Sequence, residues 1–550
     1  MNPPFAASPA TPLPADVKTP RKVRLIVLLL IGILIVLDVT SMRHMTITYD
    51  EPAHYRYAQQ MLAMDSTRFI DSTMPLVALN ALPAALGARL PSGPLATTLG
   101  RIETGRYVTV LFSLLVALCV FAWTRRLYGS AGGLLALTLY TFDPNLLAHS
   151  QLITTDLYAI GSMTFALYCF WRFLREGGWR RACVSGLTLG LAVIAKYTSV
   201  ALIPLFVVIA LSFHARDLAR EVRERRFPDL RRRLARASRV AILFAILSLL
   251  VINAGFLFNR TFTPLAEYQF RSDLFRAVQS SAGAIGAIPL PLPYPYLDGL
   301  DWVLEHERTG EGYGNIYLLG EVRKGQGFAG YYLYASLYKV PIATQLILFA
   351  AAGAYVARRR RFEFLRNEAV VFWPILFFTV YFNFFYRAQI GIRYFLVVFP
   401  LLYVFSGSLL AEGRALARPM AAALAAAIAG LVLSVLSYYP HFLPYFNELV
   451  WDRTRAYTVL ADSNLDWRQH VWYQEQWLAT HPGAIIEPEG PTAGTILVGV
   501  NALTGVAYGP EKFRWLRENF TPVEHIAHAV LVYRVSAADL ERIALAHPTP

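Results

Sequence analysis

The sequence predicts an all-α polytopic membrane protein with about eleven transmembrane helices, short interfacial helices at the outer membrane face and a small C-terminal α/β domain outside the membrane. Composition is the first reason. Of 550 residues, 55% are hydrophobic and only 16% charged, too apolar for a chain of this length to cover itself with a water-soluble surface. The second reason is a series of eleven apolar segments, most of them close to the roughly 20 residues that a helix needs to cross a hydrocarbon layer about 30 Å thick. The third is that the clusters of basic residues all fall on one side of that series.

In order, the apolar segments lie near 23–40, 106–123, 131–148, 157–173, 182–196, 198–213, 240–257, 340–357, 369–385, 394–411 and 420–438. Helices are expected because only a helix satisfies its own backbone polar groups in lipid. Short cytoplasmic loops are enriched in Lys and Arg. The clusters Lys18–Arg24, Arg125 with Arg126, Arg172–Arg181, Arg216–Arg239, Arg358–Arg366 and Arg414–Arg418 share one side, so the N-terminus is expected in the cytoplasm and the C-terminus outside, as in an inner-membrane protein. The net charge of +14 then has a topological cause, and nucleic acid is not an expected partner.

Residues 1–22 read as a cytoplasmic N-terminus, with the Pro- and Ala-rich stretch 1–17 disordered. The first span has no small-residue cleavage site and reads as a retained signal-anchor. Residues 23–438 form the transmembrane domain, with two long outer loops at 41–105 and 258–339. The first loop suits short helices lying in the interface. The second, rich in Gly, Pro and Tyr, suits a lid-like loop. Residues 214–239 carry ten arginines and four acids and read as an amphipathic loop that fixes topology rather than a dedicated lipid-headgroup site. Cys119, Cys169 and Cys183 fall within or beside spans, which argues against a disulfide framework. The tail 439–550 alternates helix-like and strand-like stretches, the signature of a small α/β domain.

Polar residues then stand out by position. Asp50 and Glu51, in "TITYDEPAHYRY", lie about ten residues past the first span, with His54 and Arg56 following. Asp156 opens the fourth span after a short loop that carries His149. Ionisable groups at this depth face a partner or a wet cavity, which makes an acidic cluster at one membrane face a site by default. Arg56, Lys196, Lys339, Arg387 and Arg393 sit at outer ends of spans, where positive residues are least expected. Together they suggest a pocket that holds a phosphate at the membrane surface while acids handle a second substrate. In "DSNLDW", Asp462, Asn464 and Asp466 read as a turn that binds an acceptor or docks the outer domain. Structural alternatives stand beside these readings: Asp50 and Asp156 as helix N-caps, the lysines as snorkelling cations, and Arg56 as an ion-pair partner of Glu51. Glu51 and His54 form an E-x-x-H pair, but a di-iron site needs a second pair on another helix, and a zincin needs His where Asp50 stands.

The motifs "YDEPAH" after the first span, "TTD" at the fourth, "AKYTS" at the fifth, "YKVP" at the eighth and "GIRYFLVVFP" at the tenth resemble those of the polyprenyl-phosphate-dependent glycosyltransferases of the GT-C superfamily. The relatives intended are the protein O-mannosyltransferases and the lipid A aminoarabinose transferases. The stretches "YYPHFLPYFNEL" and "DSNLDW" are similar to the start of the outer domain in the bacterial phospholipid-carrier members. The resemblance implies a GT-C-like fold and inverting transfer of a sugar from a polyprenyl phosphate to an acceptor at the outer face. It implies Asp50 as general base, Glu51 orienting Asp50 or the acceptor, and Asp156 completing the acidic pair or helping to hold a divalent metal. Lys196, Lys339, Arg393 and Arg56 are the candidates for the donor phosphate, with His54, His149, Asp462, Asn464 and Asp466 as acceptor-side or accessory residues, the two histidines having interfacial hydrogen bonding as their structural alternative. Some members of the superfamily use a divalent metal cation and others do not, so one bridging Asp50, Asp156 and the phosphate stays open. Two departures concern substrate contacts: Met74 precedes Pro75 where relatives have His-Pro-Pro, and Arg468 replaces Gly in "DWGQ". A transporter or flippase of lipid-linked sugars is the alternative, but it would place its charges near the midplane between repeated halves, and no matching halves are visible.

Overall fold

The computed structural model describes residues 20–65, 72–359, 362–411 and 416–546. The expected disorder of residues 1–17, and the basic residues Lys18 and Arg414, lie outside them. Among the described residues, seven helices are long and apolar enough to cross a membrane: Arg21–Met42, Ile102–Tyr128, Thr155–Glu176, Tyr197–Arg223, Phe227–Gly255, Ile392–Leu410 and Arg418–Leu436. An eighth arises if Tyr331–Lys339 and Ile342–Ala357, bent by 112° to one another, are counted as one span. The chain is a multi-pass membrane protein.

The other three of the eleven apolar segments are also helical but short, covering Ser130–Thr141, Trp179–Val193 and Ala369–Phe384 with 12, 15 and 16 residues. The first stops early because Asp143 and Pro144 start a new helix, with the Asp143 carboxylate accepting from the backbone N–H of Asn145 and Leu146. Its ends can be irregular because the segment is buried in protein rather than facing lipid. Gly132 there lies so close to the segment 407–410 that a Cβ would stand 2.8 Å from the Gly407 carbonyl oxygen.

The basic stretch 214–239 differs from the loop expected. Both neighbouring helices run through it, to Arg223 and from Phe227, leaving a turn at 224–226. Opposite charges on the hairpin face each other, as in Arg233 with Glu221 at 2.6 Å, so helix continues where the polar composition alone suggests a loop.

The first outer loop carries short helices, Glu51–Leu62, Leu82–Gly87 and Pro94–Leu99, with Leu82, Leu86 and Leu95 exposed, as an interfacial position requires. The second loop holds helices Asp273–Ser281 and Tyr294–Thr309 and an antiparallel hairpin of β1 (Asn315–Leu318) and β2 (Glu321–Lys324). The C-terminal region contains β3 (Ile485–Ile486), β4 (Gly494–Gly499), β5 (Glu524–Ile526) and β6 (Val530–Val535) in the order β3-β4-β6-β5. β3 and β4 run parallel and the other pairs antiparallel. Leu497, Ile526, Val530 and Val532 form its small core under Trp477 and Leu478 of helix Val471–Thr480.

Two backbone contacts tie this region to the first outer loop: the Thr46 N–H donates to the Gln469 carbonyl and the Tyr49 N–H to the Trp467 carbonyl, both at 3.2 Å. A third tie uses Asn464, whose side-chain oxygen accepts from the Ile392 N–H at 3.0 Å. The segments 46–50, 391–394 and 462–469, distant in sequence, therefore meet at one place.

Candidate active site

Arg393 lies at that meeting point. It is 7% exposed, and its Nη1 is 3.0 Å from an oxygen of Asp50 and 3.7 Å from one of Asp156. The other Asp156 oxygen accepts from Lys196 Nζ at 2.5 Å. Aromatic rings hold both cations in place: Lys196 Nζ is 4.1 Å from the Tyr394 ring centre, and the Arg393 guanidinium is 4.2 Å from that of Trp467. Cation–π contacts of this kind strengthen as water is excluded. Asp50, Asp156, Lys196 and Arg393 thus form a half-open cluster of two carboxylates and two cations, with Asp50 its most exposed acid.

Each side chain is aimed by local structure. Asp50 is at the N-cap position of helix Glu51–Leu62, yet its side chain makes no capping hydrogen bond. It turns to Arg393 instead, so the capping alternative is not the use this structure makes of it. Asp156 is in the first turn of Thr155–Glu176, and Thr154 rather than Asp156 holds the N-cap position. Lys196 follows helix Trp179–Val193 in extended backbone. Arg393 follows Gly391, whose φ of +122° lies in the region only glycine adopts readily. A Cβ on Gly391 would also stand against the Ser463 hydroxyl, and that hydroxyl donates to the Ile390 carbonyl.

His54 lies near enough to the same cluster to feel its charges. Burial holds its imidazole below the usual range, Asp50 and Asp156 act to raise it, and Arg393 and Lys196 act to lower it. Its Nδ1 is buried without a partner. The buried His149 ring centre is 5.8 Å from that of Trp467. Asp462 is held up at about 6, by burial first and then by Asp50 and Asp466, while the Ser463 N–H and Arg393 oppose the rise. Asp466 accepts from the Arg468 N–H at 3.0 Å.

Three sequence candidates stand elsewhere. Glu51 is fully buried against Arg106, not Arg56, with 2.5 Å between them. It accepts from Arg106 Nε and Nη2, from the Thr48 N–H and hydroxyl, and from the Ile153 N–H. Lys339 is 1% exposed, and its Nζ donates to the Leu443 and Asn464 carbonyls, each at 2.7 Å. Arg56 is exposed on its helix. The structure does not bring these three to the Asp50–Arg393 cluster.

Sequence reasoning missed Arg106, Tyr394, Trp467 and Glu307. Arg106 begins the second apolar segment at its outer end, so the test that singled out Lys196 could have found it. Tyr394 and Trp467 were inside motifs already noted. Glu307, on helix Tyr294–Thr309, gave no signal beyond being an acid in a Tyr-rich loop.

The donor set does not fit a resident divalent metal ion. Hard cations take a surplus of anionic oxygen ligands, whereas Asp50 and Asp156 already face two cations and the four charges cancel. Among the described residues no group of three or more His, Cys, Asp or Glu side chains is placed to hold a metal.

Residues 96–223 match the family model described as dolichyl-phosphate-mannose-protein mannosyltransferase. That segment is similar to the protein mannosyltransferases, and it carries two of the quoted motifs, "TTD" and "AKYTS". No curated protein matches the chain. Similar solved structures include the Archaeoglobus fulgidus oligosaccharyltransferase in complex with Zn and sulfate, at 14% identity and TM-score 0.40, covering 74% of this chain. The chain spans 52% of the length of that archaeal protein. ArnT from Cupriavidus metallidurans is similar in its apo state, at 13% identity and TM-score 0.31, and bound to undecaprenyl phosphate, at 13% and 0.29. Each of these two alignments covers 93% of this chain and 98% of the other.

Proposed function

We propose that this protein is a membrane glycosyltransferase that moves a sugar, with inversion, from a polyprenyl-phosphate donor to an acceptor at the outer membrane face. The observation that carries the reading is Arg393 joining Asp50 to Asp156 while Lys196 holds the other side of Asp156. Two cations fixed at one membrane face by buried partners suit a phosphate, because they are aligned before it arrives. In this reading residues 23–438 are the catalytic domain, 439–550 an outer domain, and the N-terminus is cytoplasmic.

The chemistry follows from the charges. The phosphate enters between Arg393 and Lys196 and competes with Asp50 for the guanidinium. Asp50, the less buried acid with 29% of its side chain exposed against 2% for Asp156, is the one that can leave. Freed from Arg393, its carboxylate becomes a stronger base and takes the proton of the acceptor's attacking hydroxyl or amine. The acceptor atom bonds to the anomeric carbon as the bond from that carbon to the phosphate oxygen breaks. The bonding electrons stay on the phosphate, where Arg393 and Lys196 stabilise the charge. Asp156 stays ion-paired throughout and positions both cations. Attack opposite the leaving phosphate inverts the anomeric centre.

The test is sugar release from a panel of polyprenyl-phosphate sugars by purified protein in lipid, wild type beside Asp50→Asn. Release by the wild type and loss in the variant is the expected result. Equal release by both would remove Asp50 as the base, and movement of intact lipid-linked sugar across the bilayer without release would favour a flippase.

A further inference from the structure

We propose that Glu307 and the tyrosines around it form the sugar subsite of the donor, the part of the site that selects which sugar is transferred. The inference rests on the function proposed above. It starts from connectivity: in a sugar phosphate the anomeric carbon is one oxygen away from phosphorus. Whatever surrounds the phosphate is therefore followed immediately by what surrounds the sugar ring. If Lys196 and Arg393 hold the phosphate, the next shell of side chains touches the sugar.

On the Lys196 side that shell is aromatic and acidic. From Lys196 the rings run outward in sequence: Tyr394 under its ammonium at 4.1 Å, Tyr386 with ring centres 5.4 Å from Tyr394, and Tyr381 at 5.8 Å from Tyr386. The Tyr381 hydroxyl donates to Glu307 Oε2 at 2.7 Å. Lys196 lies near enough to act on the Glu307 carboxyl, and Glu307 on Tyr313. Tyr313, Tyr381, Tyr394 and Glu307 are all partly exposed, while Tyr386 between them is buried and anchors the group to the core.

The backbone around Glu307 is tied down on two sides. Helix Tyr294–Thr309, which carries Glu307, ends at Gly310 with φ +72°, where a Cβ would stand against the Gly325 backbone. Arg387, six residues before Arg393, donates to the Arg308 carbonyl at 2.6 Å. The acid is thereby tied to the segment that supplies the phosphate-facing arginine.

Its chemistry differs from that of Asp50 and Asp156. Among the described residues no arginine or lysine lies within hydrogen-bond distance of Glu307. Its bonded partner is a neutral phenol, and burial pushes its carboxyl up to about 7. A carboxyl poised near neutrality can accept from a sugar hydroxyl, donate to one when protonated, or pair with an amino group. Tyrosine rings supply apolar walls for the sugar's C–H faces, while buried polar groups left without partners reject an analogue that lacks the matching hydroxyl.

The test uses the full-length protein in nanodiscs. Retention is measured by native mass spectrometry for undecaprenyl phosphate alone and for undecaprenyl phosphates carrying mannose, glucose, 6-deoxyglucose or glucosamine. Glu307→Gln and Tyr381→Phe are compared with wild type. Expected for Glu307→Gln is normal retention of the sugar-free lipid and about 10- to 100-fold weaker retention of the sugar-bearing lipid that the wild type prefers, the worth of one or two hydrogen bonds to a charged group. Tyr381→Phe, which keeps the ring and removes only the hydroxyl, shifts the same ranking by less. Equal losses for the bare and sugar-bearing lipids would overturn the subsite, as would an unchanged ranking or a wild type indifferent to the sugar. Because retention needs no turnover, this arm decides the subsite even if no acceptor is found. The glycosyltransferase reading fails separately, if wild type releases no sugar from a lipid that it retains.

Discussion

Asp50 and Glu51 are neighbours in the chain, and the clusters they enter are opposites. Glu51 and Arg106 are sealed, each with 0% of its side chain exposed. Arg106 also donates to the Met45 and Thr46 carbonyls, so the pair clamps the residues that lead into Asp50. Asp50 faces Arg393 in a cluster that solvent reaches. One pair has every lone pair occupied and cannot trade partners. The other keeps an acid that can be displaced. Consecutive residues thus enter a sealed and an open cluster, with the sealed pair holding the backbone that leads into the open one.

The strongest way to break this contrast is to open the sealed pair. Glu51→Gln leaves Arg106 charged and buried, at a cost of about 3–5 kcal/mol, and a large fall in folded, monodisperse protein is expected on gel filtration. The double variant Glu51→Gln/Arg106→Met removes both charges and should recover part of that loss. Recovery would be absent if the two acted independently.

Asp50→Asn probes the open cluster and should behave in the reverse way. Turnover is expected to fall by about 10²–10⁴, the usual worth of a general base, while the melting temperature stays near wild type. A variant that melts early with turnover intact per folded molecule would assign Asp50 to structure.

Lys339 tests whether a buried cation must have an acid partner to matter. Its ammonium binds two carbonyls, and Asn464, the second of these residues, also holds the Ile392 N–H beside Arg393. Lys339→Met should cost about 1–3 kcal/mol through the unpaired carbonyls, read as a lower melting temperature. Affinity for sugar-free polyprenyl phosphate should change little, and a selective loss of that affinity would return Lys339 to the phosphate site.

His54 gives a smaller, pH-dependent difference. Its pKa is held below the ordinary 6.5 in the folded chain, so on acidification the unfolded chain takes up a proton first. The stability contributed by the neutral ring is present above about pH 6.5 and is lost as pH falls through and below that value. Melting temperatures at pH 7.5 and 5.5 should differ less in His54→Gln than in wild type. The least effect is expected from a chelator: with the four charges of the open cluster already balanced, sugar release should be unchanged by EDTA, and its loss would place a metal with the donor phosphate.

Much of the fold was legible in the sequence because hydrophobicity and charge act locally. A run of apolar residues is costly to expose wherever it occurs, so all eleven segments proved helical, although three are short and the eighth meets the helix before it at a sharp bend. The rarity of charge beside lipid also brought Asp50, Asp156, Lys196 and Arg393 to notice. The composition of residues 214–239 misled because charge favours solvent without dictating loop, and paired charges let helix continue.

What the sequence by itself determined is therefore the medium, the apolar segments and a short set of polar residues near one face. Only the tertiary structure decided which of them meet. Asp50 finds Arg393 across 343 positions and Glu51 finds Arg106 across 55, and no local pattern distinguishes those fates. The physical reason is that burial makes every charge dependent on a partner, and the partner is chosen by how distant helices pack, not by the residues alongside.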